Sequence, residues 1–239
     1  MKAILLAAGR GERMRPLTDE RPKPLLGVHG KPLIEWHLEA LARAGVTEVV
    51  ANTAWLEEQL IDAVGDGVRF GLRITYSREG RDHGGALETA GGLKKALPLL
   101  GSVGAFWYVA ADAYAPQFDF APRHVADLDV TSLLGQLWMV PNPAQHPDGD
   151  FGIASGLACV GTPGERLTWS GIALFKPEFV TTLMSELRPG VPARLRPYLD
   201  RAIALHRLGA QHLGCAWADV GTPQRLDELN RAAPPAGNG

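Results

Sequence analysis

Cysteine is scarce in this chain: Cys159 and Cys215 are the only two among 239 residues. They lie far apart and lack CxxC spacing, which argues against a disulfide framework or a zinc site and leaves them as small buried hydrophobes. Long apolar runs are missing as well. No stretch approaches the roughly 18 apolar residues of a membrane span. Residues 3–8 are apolar but run at once into Gly9-Arg10-Gly11-Glu12-Arg13. That is short of the roughly 7–15 residues and the small-residue cleavage site of an export signal. Nor is there a strong charge of either sign, since the formal net charge is -2 with 21% charged residues. Such a balance gives no broad electrostatic case for nucleic acid or an anionic membrane as partner, so any positive charge that binds phosphate must be local. The cytoplasm is the expected location. No Pro/Ser/Gly linker divides the chain and no hexapeptide repeat adds a β-helical domain. One domain over residues 1–231 is expected, with a disordered tail "AAPPAGNG" at 232–239. Nothing in the sequence sets an oligomeric state.

What is present is a chain long enough for a full core, with 46% hydrophobic residues. Strand and helix signals alternate through its first half. Lys2–Ala7 reads as a strand buried on both faces. Apolar residues at helical spacing follow Pro32, and Gly45 is placed to stop that helix. Residues 46–52 and 72–77 read as strands, 55–65 and 88–100 as helices. The run "GAFWYVA" (104–110) is a strand that delivers Asp112 just past its C-terminal end. This βαβ repetition predicts a Rossmann-like, doubly wound, mostly parallel α/β sheet. Ligands in such sheets sit outside the carboxyl ends of the strands, where both the loop after the first strand and Asp112 fall. The second half predicts strands at 130–140, 151–160, 166–175 and 211–220, helices near 177–187 and 193–206, and a short helix from Pro223. The chain thus reads as a first half to about residue 125 and a more strand-rich second half from about 126.

The stretch "GRGERMRPLTDERPKP" (9–24) carries the most chemistry. It is not a Walker A loop, and it fails the dinucleotide pattern GxGxxG because Met14 stands where the third glycine should be. Glycines let the backbone approach an anion and turn its N–H groups inward. Arg13 can add forked, charge-assisted hydrogen bonds to phosphate oxygens, and Lys23, between Pro22 and Pro24, is a point charge on a stiffened segment. A merely solvated basic loop would need no such rigid frame.

"LAAGRGERMRPLTDERPKPLL" closely resembles the G-x-G-x-R-x-x-P-L-T-x-x-x-P-K-P signature of the sugar-1-phosphate nucleotidylyltransferases, the sugar-nucleotide pyrophosphorylases. The resemblance continues through "GKPLIEWHLEALARAGVTEVV", "ALETAGGLKKALPLL", "LTWSGIALF" and "WADVGTPQRL". It implies the nucleotide-diphospho-sugar transferase fold and a reaction of an NTP with a sugar-1-phosphate, giving NDP-sugar and pyrophosphate. UTP and N-acetylmuramate-1-phosphate are the implied substrates, in the reuse of cell-wall sugar. The alternatives are a mannose-1-phosphate guanylyltransferase, a glucose-1-phosphate uridylyl- or thymidylyltransferase, and a phosphocholine cytidylyltransferase. Outside enzymes, a nucleotide-sensing module would be expected to have lost Arg13, Lys23 or a carboxylate, and it has not.

The same resemblance implies roles residue by residue. Arg13 and Lys23 are the catalytic cations. Leu6, Ala8, Gly9, Gly11 and Glu12 join them in nucleotide binding, with Glu88, Gly91 and Gly92 nearer the base. Asp112 and Asp219 are the implied Mg²⁺ ligands, a donor set that suits a hard cation sharing phosphate oxygens. Sugar contacts fall near 150–171, with Asp150, Ser170 and Gly171 as candidates. Several have competing structural readings: a dipole-complementing first-turn residue for Glu88, helix packing for Gly91 and Gly92, a turn former for Asp148 and Asp150, and a core-facing strand residue for Ser170. Trp55 reads as a pocket wall or a core aromatic, and Arg194 as a surface charge or a sugar contact. His37, His212 and Trp217 read as structural. Two positions depart from the family pattern: Ala110-Ala111 stand where near relatives often carry Asn-Gly, and Ala90 where a third glycine is common. The "GRDHGG" loop (80–85) is longer than the minimal one.

Overall fold

The apolar run behind Met1 forms β1 (Lys2–Leu6), in which Ala3, Ile4 and Leu5 are fully buried. A computed structural model describes residues 1–162 and 164–233 of the chain; the tail expected to be disordered lies, from residue 234 on, outside the described residues. After β1 the chain passes through α1 (Leu17–Glu20) and a small ladder of β2 (Gly27–Val28) with β3 (Lys31–Pro32). Pro32 then leads into α2 (Leu33–Arg43), and Gly45 at φ 81 ends it, as the sequence predicts. There follow β4 (Glu48–Thr53), α3 (Glu57–Val64), β5 (Arg73–Arg78), α4 (Glu79–His83), α5 (Glu88–Leu100) and β6 (Phe106–Ala110). The "GRDHGG" loop is thus largely the single helical turn α4.

β1 pairs in parallel with both β4 and β6, and β4 pairs in parallel with β5. The chain therefore builds outward on one side of β1, then crosses over to the other. At such a switch point the loops leaving neighbouring strands diverge and open a crevice.

The second half contributes β7 (Ala113–Tyr114), α6 (Pro122–Asp129), β8 (Gly135–Val140), β9 (Gly152–Ala154), β10 (Leu157–Cys159), β11 (Thr168–Phe175), α7 (Pro177–Leu183), α8 (Arg196–Ala204), β12 (Leu208–His212), β13 (Ala218–Asp219) and α9 (Pro223–Arg231). The main sheet runs β5-β4-β1-β6-β11-β8-β12-β10-β9, and only β11 and β10 run against the rest. It is the mostly parallel α/β sheet expected, made mixed by the two antiparallel strands.

Three expectations need correcting. The strand expected over 151–160 is a hairpin, because Ser155 and Gly156 take φ values of 50 and 77 and reverse the chain. The strand expected over 211–220 is broken: β12 stops at His212, Gly214 turns at φ 74, and β13 leaves the main sheet to pair with β7. The cysteines are free but only half-buried, not core residues.

Period-two alternation puts Ala3 and Leu5 in one core layer with Leu38, Leu41 and Trp107, and Ile4 in the other with Leu93, Phe106 and Phe175. A third cluster joins Met14 to Leu26, Leu33, Tyr114, Val220 and Leu226. No helix among the described residues is long and apolar enough to cross a membrane.

His37 of α2 is 2% exposed, and its Nε2–H donates to the Ala113 carbonyl at 2.6 Å. Burial pushes its pKa down to about 4, against the opposing effects of that carbonyl and of Asp112. Between pH 6.5 and about 4 the unfolded chain takes up a proton that the folded chain refuses, so stability falls as pH drops through that window. The loss at pH 5 should be about 2 kcal/mol from this group. Thermal melts at pH 7 and pH 5 should show a smaller difference for His37→Gln than for the wild type; an equal difference would contradict the assignment.

Candidate active site

Past Leu6 the chain crosses the switch point as a loop whose shape is set from below. Gly11 takes φ 66, and a Cβ there would lie 3.1 Å from the Thr18 methyl. The Thr18 hydroxyl donates to the Gly11 carbonyl at 2.9 Å. Arg10, at the edge of the same crevice, donates to the Thr18 carbonyl at 2.7 Å and to Asp19 Oδ1 at 2.6 Å. Its guanidinium lies 3.8 Å above the Trp55 ring, and the indole N–H of Trp55 donates to the same carbonyl at 2.9 Å. Trp55 is therefore neither pocket wall nor core residue but a platform bracing the loop. A Cβ on Gly9 would meet nothing within 4 Å, so this glycine faces open space in the crevice. Glu12 and Arg13 are exposed, and Met14, in the place of a third glycine, is fully buried.

Lys23 reaches under this loop to Asp112, with Nζ 2.8 Å from Oδ2. Crowding by protein raises the Asp112 carboxyl, but the charge and hydrogen bond of Lys23, aided by Arg13, hold it below its ordinary value. Just beyond Asp112, Ala113 stands opposite Asp219 in the β7–β13 ladder, and Val220 N–H donates to the Asp112 carbonyl at 3.0 Å. Two carboxylates distant in sequence are thus brought to one corner. Arg225 of α9 pairs with Asp219 and donates to the Thr222 hydroxyl at 3.3 Å. Among the described residues no group of three or more His, Cys, Asp or Glu side chains forms a metal cage.

A cavity of about 530 Å³ lies between the loop and the start of α5. Leu6, Ala8, Gly9, Gly11, Glu12, Arg13, Lys23, Glu88 and Asp112 all line it, so most residues expected on the nucleotide side come together. A second cavity of about 290 Å³ is lined by Ser170, Gly171, Trp217 and Asp219, and shares Arg13, Ala110 and Asp112 with the first. A third, of about 400 Å³, adjoins the second through Pro143, Gln145, Trp217 and Asp219. Arg13 and Asp112 stand where the first two cavities meet, one on the loop and one past β6.

Other expected residues lie elsewhere. Gly91 and Gly92 are buried in α5, where a Cβ would lie 2.5 Å from the Val191 carbonyl and 2.5 Å from Glu79 Oε1 respectively; they serve packing and do not line the crevice. Asp150 accepts the Trp169 N–H at 2.8 Å and stands 3.2 Å from His146 Nε2, so it supports the second cavity from behind. The Ser170 hydroxyl turns inward to donate to the Trp138 carbonyl at 2.7 Å. Gly171, at φ 81 within a β-bulge, would place a Cβ 2.8 Å from that of Ala110. Glu88 begins α5 at φ 57, an uncommon backbone for a non-glycine residue, and its exposed side chain faces the larger cavity. Arg194 and His212 are exposed and line none of these cavities. Trp217 does both jobs, donating to the Ser170 carbonyl at 2.9 Å while walling the second cavity.

Sequence reasoning missed Asn52, Glu79, Thr89 and Tyr108 in the larger cavity and His146 and Trp169 in the smaller. Tyr108 and Trp169 stack at 5.3 Å between the two. Both sit in strands where an aromatic reads as core, and no local signal separates the two cases. The position of Asn52 at the C-terminal end of a parallel strand was the one available clue.

The family model described as nucleotidyl transferase matches residues 2–154. An N-acetylmuramate alpha-1-phosphate uridylyltransferase of Neisseria meningitidis is 44% identical over 236 residues, 98% of each chain. One from Caulobacter vibrioides is 34% identical over 93% of this chain and 92% of its own. Among solved structures, a putative glucose-1-phosphate thymidylyltransferase from Bacillus anthracis superposes with a TM-score of 0.84 at 21% identity, covering 100% of this chain and 97% of that one; the likeness is one of fold. The resemblance carried by the glycine-arginine loop therefore extends through the whole length of the protein, and the chain belongs to the nucleotidyl transferase family.

Proposed function

We propose that the protein transfers the uridylyl group of UTP to N-acetylmuramate-1-phosphate, forming the UDP-sugar and releasing pyrophosphate. The observation that carries this reading is the meeting of two cavities at Arg13 and Asp112, one the size of a nucleotide site and one beyond it for a second phosphate-bearing substrate. The choice of base and sugar is supported by the full-length likeness to the Neisseria and Caulobacter proteins. On this reading residues to about 125 hold the nucleotide and the remainder holds the sugar. Since nucleoside triphosphates are held inside cells, the setting is cytoplasmic.

The chemistry asks little of the protein beyond placement. A sugar phosphate oxygen attacks the α-phosphorus in line as pyrophosphate leaves. The attacking monoester is already largely ionised, its second pKa being about 6, so no general base is needed. The remaining barrier is the alignment of two anions that repel each other. Loop N–H groups and Arg13 neutralise the departing pyrophosphate, while buried Lys23 offers its charge to the α-phosphate or the incoming phosphate. Asp112 and Asp219 would hold Mg²⁺, and this donor set fits, because Mg²⁺ favours one or two carboxylates completed by phosphate oxygens and water. Bound there, Mg²⁺ supplies charge neutralisation at the reacting phosphates. Both carboxylates already have a cation at hand, Lys23 beside Asp112 and Arg225 beside Asp219.

Pyrophosphate release over a matrix of four NTPs and several sugar-1-phosphates should be fastest with UTP and N-acetylmuramate-1-phosphate. Turnover of GTP with mannose-1-phosphate, and none with the favoured pair, would refute the substrate choice. Chelation should abolish turnover and added Mg²⁺ restore it, and Asp112→Asn or Asp219→Asn should each lower kcat/KM by about a hundredfold or more. Unchanged turnover in both variants would remove the metal assignment.

The two loop glycines should separate folding from binding. Gly11→Ala forces a positive φ on alanine against Thr18 and should cost about 1 kcal/mol or more, lowering Tm by roughly 2–4 °C. Gly9→Ala has room for its methyl in the folded protein, so Tm should hold while the KM for UTP rises several-fold.

A further inference from the structure

We propose that Asn52 and Glu79 are positioning residues for the nucleotide: a buried hydrogen-bond relay through them sets the spacing between the loop after β1 and the segment 86–89 at the start of α5. The inference rests on the larger cavity being the NTP site.

The relay has three links of equal length. Ala7 N–H donates to Asn52 Oδ1 at 2.7 Å, Asn52 Nδ2–H donates to Glu79 Oε1 at 2.7 Å, and Leu87 N–H donates to Glu79 Oε2 at 2.7 Å. Asn52 is 3% exposed and Glu79 is fully buried. Ala7 is the first residue of the phosphate-facing loop, and Leu87 directly precedes Glu88 with its φ of 57. Opposite walls of one cavity are therefore tied by side chains rising from β4 and α4, neither of which supplies a residue the proposed chemistry uses. Lys95 steadies the α4 end, donating to the Arg78 carbonyl at 2.7 Å and to Asp82 at 2.6 Å.

The polarity of the relay is fixed. Asn52 must turn its oxygen to Ala7 and its amide hydrogens to Glu79, while Glu79 must accept from two donors at once. Burial pushes the Glu79 carboxyl above the usual carboxylate range, and the Leu87 and Asn52 donors pull the other way. The helix makes room for this: a Cβ on Gly92 would lie 2.5 Å from Glu79 Oε1 and 2.7 Å from Asn52 Nδ2. A glycine inside a helix is destabilising relative to alanine, and here it permits the close approach of the two side chains.

Because polarity is the content of the relay, exchanging it is the test. Asn52→Asp sets carboxylate against carboxylate, and Glu79→Gln sets an amide donor against a donor; each leaves a buried mismatch. In the double variant N52D/E79Q every donor regains an acceptor. The carboxylate at 52 accepts from Ala7 and from the new amide at 79, whose oxygen is left for Leu87. Steady-state kinetics should show each single variant raising the KM for UTP about tenfold, with the KM for the sugar phosphate within about twofold and kcat little changed. The double variant should return the KM for UTP to within about threefold of wild type. Gly92→Ala, which presses on both relay groups, should repeat the nucleotide-selective rise. Thermal melts accompany each variant. If the singles fail to fold, the double decides: a folded double with a near-wild-type KM for UTP supports the relay. A double that is unfolded, or as weak as the two singles multiplied together, overturns it. So does a parallel rise in both KM values, the mark of a structural role alone. Kinetics are measured with whichever NTP the wild-type chain turns over, so a different base preference would overturn the proposed substrate and leave this test intact.

Discussion

A lysine buried to 9% exposure and joined to an aspartate across the switch point is the contact on which the site depends. An ammonium taken out of water needs a partner, or it loses its proton. The segment bearing Lys23 must therefore return beneath the loop to the carboxyl end of β6, where Asp112 waits. That requirement closes a loop of otherwise polar residues against the sheet. It also presets a positive charge beside the place where phosphates would gather. The supports around it act on the two ends of this contact. Pro22 and Pro24 stiffen the lysine side, while His37 grips the Ala113 carbonyl and β13 grips β7 on the aspartate side.

The strongest local patterns foretold the strongest local structures. The predicted helix at 88–100 has those bounds in the structure, because apolar spacing outweighs its glycine pair. The first strand and the placement of Asp112 follow from equally short-range cues. What stayed hidden was whatever depends on a neighbour distant in sequence. Gly91 and Gly92 look like room for a ligand; only the fold shows that Val191 and Glu79 fill that room. The break in the 211–220 run came from Gly214 and from the pairing of β13 with β7, and a hydrophobicity pattern carries no information about partners. The relay was invisible for the same reason: a buried Asn and Glu twenty-seven positions apart gain meaning only when they touch.

The sugar-side half shows how one small residue conditions another. Ala110 ends β6, and Gly171 bulges out of β11 directly against it. A larger residue at either place would meet the other. The wall between the two cavities is consequently thin at this point, made of backbone and a methyl group, and the stacked pair Tyr108 and Trp169 flanks it. At this point the wall presents backbone groups and ring faces, with only a methyl group at 110.

Met14 occupies the place where a dinucleotide-binding turn has its third glycine, and it anchors the apolar cluster that also holds Val220 beside Asp219. A glycine there in dinucleotide enzymes lets a helix pack tightly on the strand behind it. Here the same position is a rivet, fastening the anion loop to the corner that bears the second carboxylate. The scaffold is thereby committed. Conversion of this turn into a dinucleotide cradle would remove the rivet, and with it the coupling between loop and corner. Evolution or design could vary the base and the sugar around this loop far more cheaply than it could change the kind of ligand the loop receives.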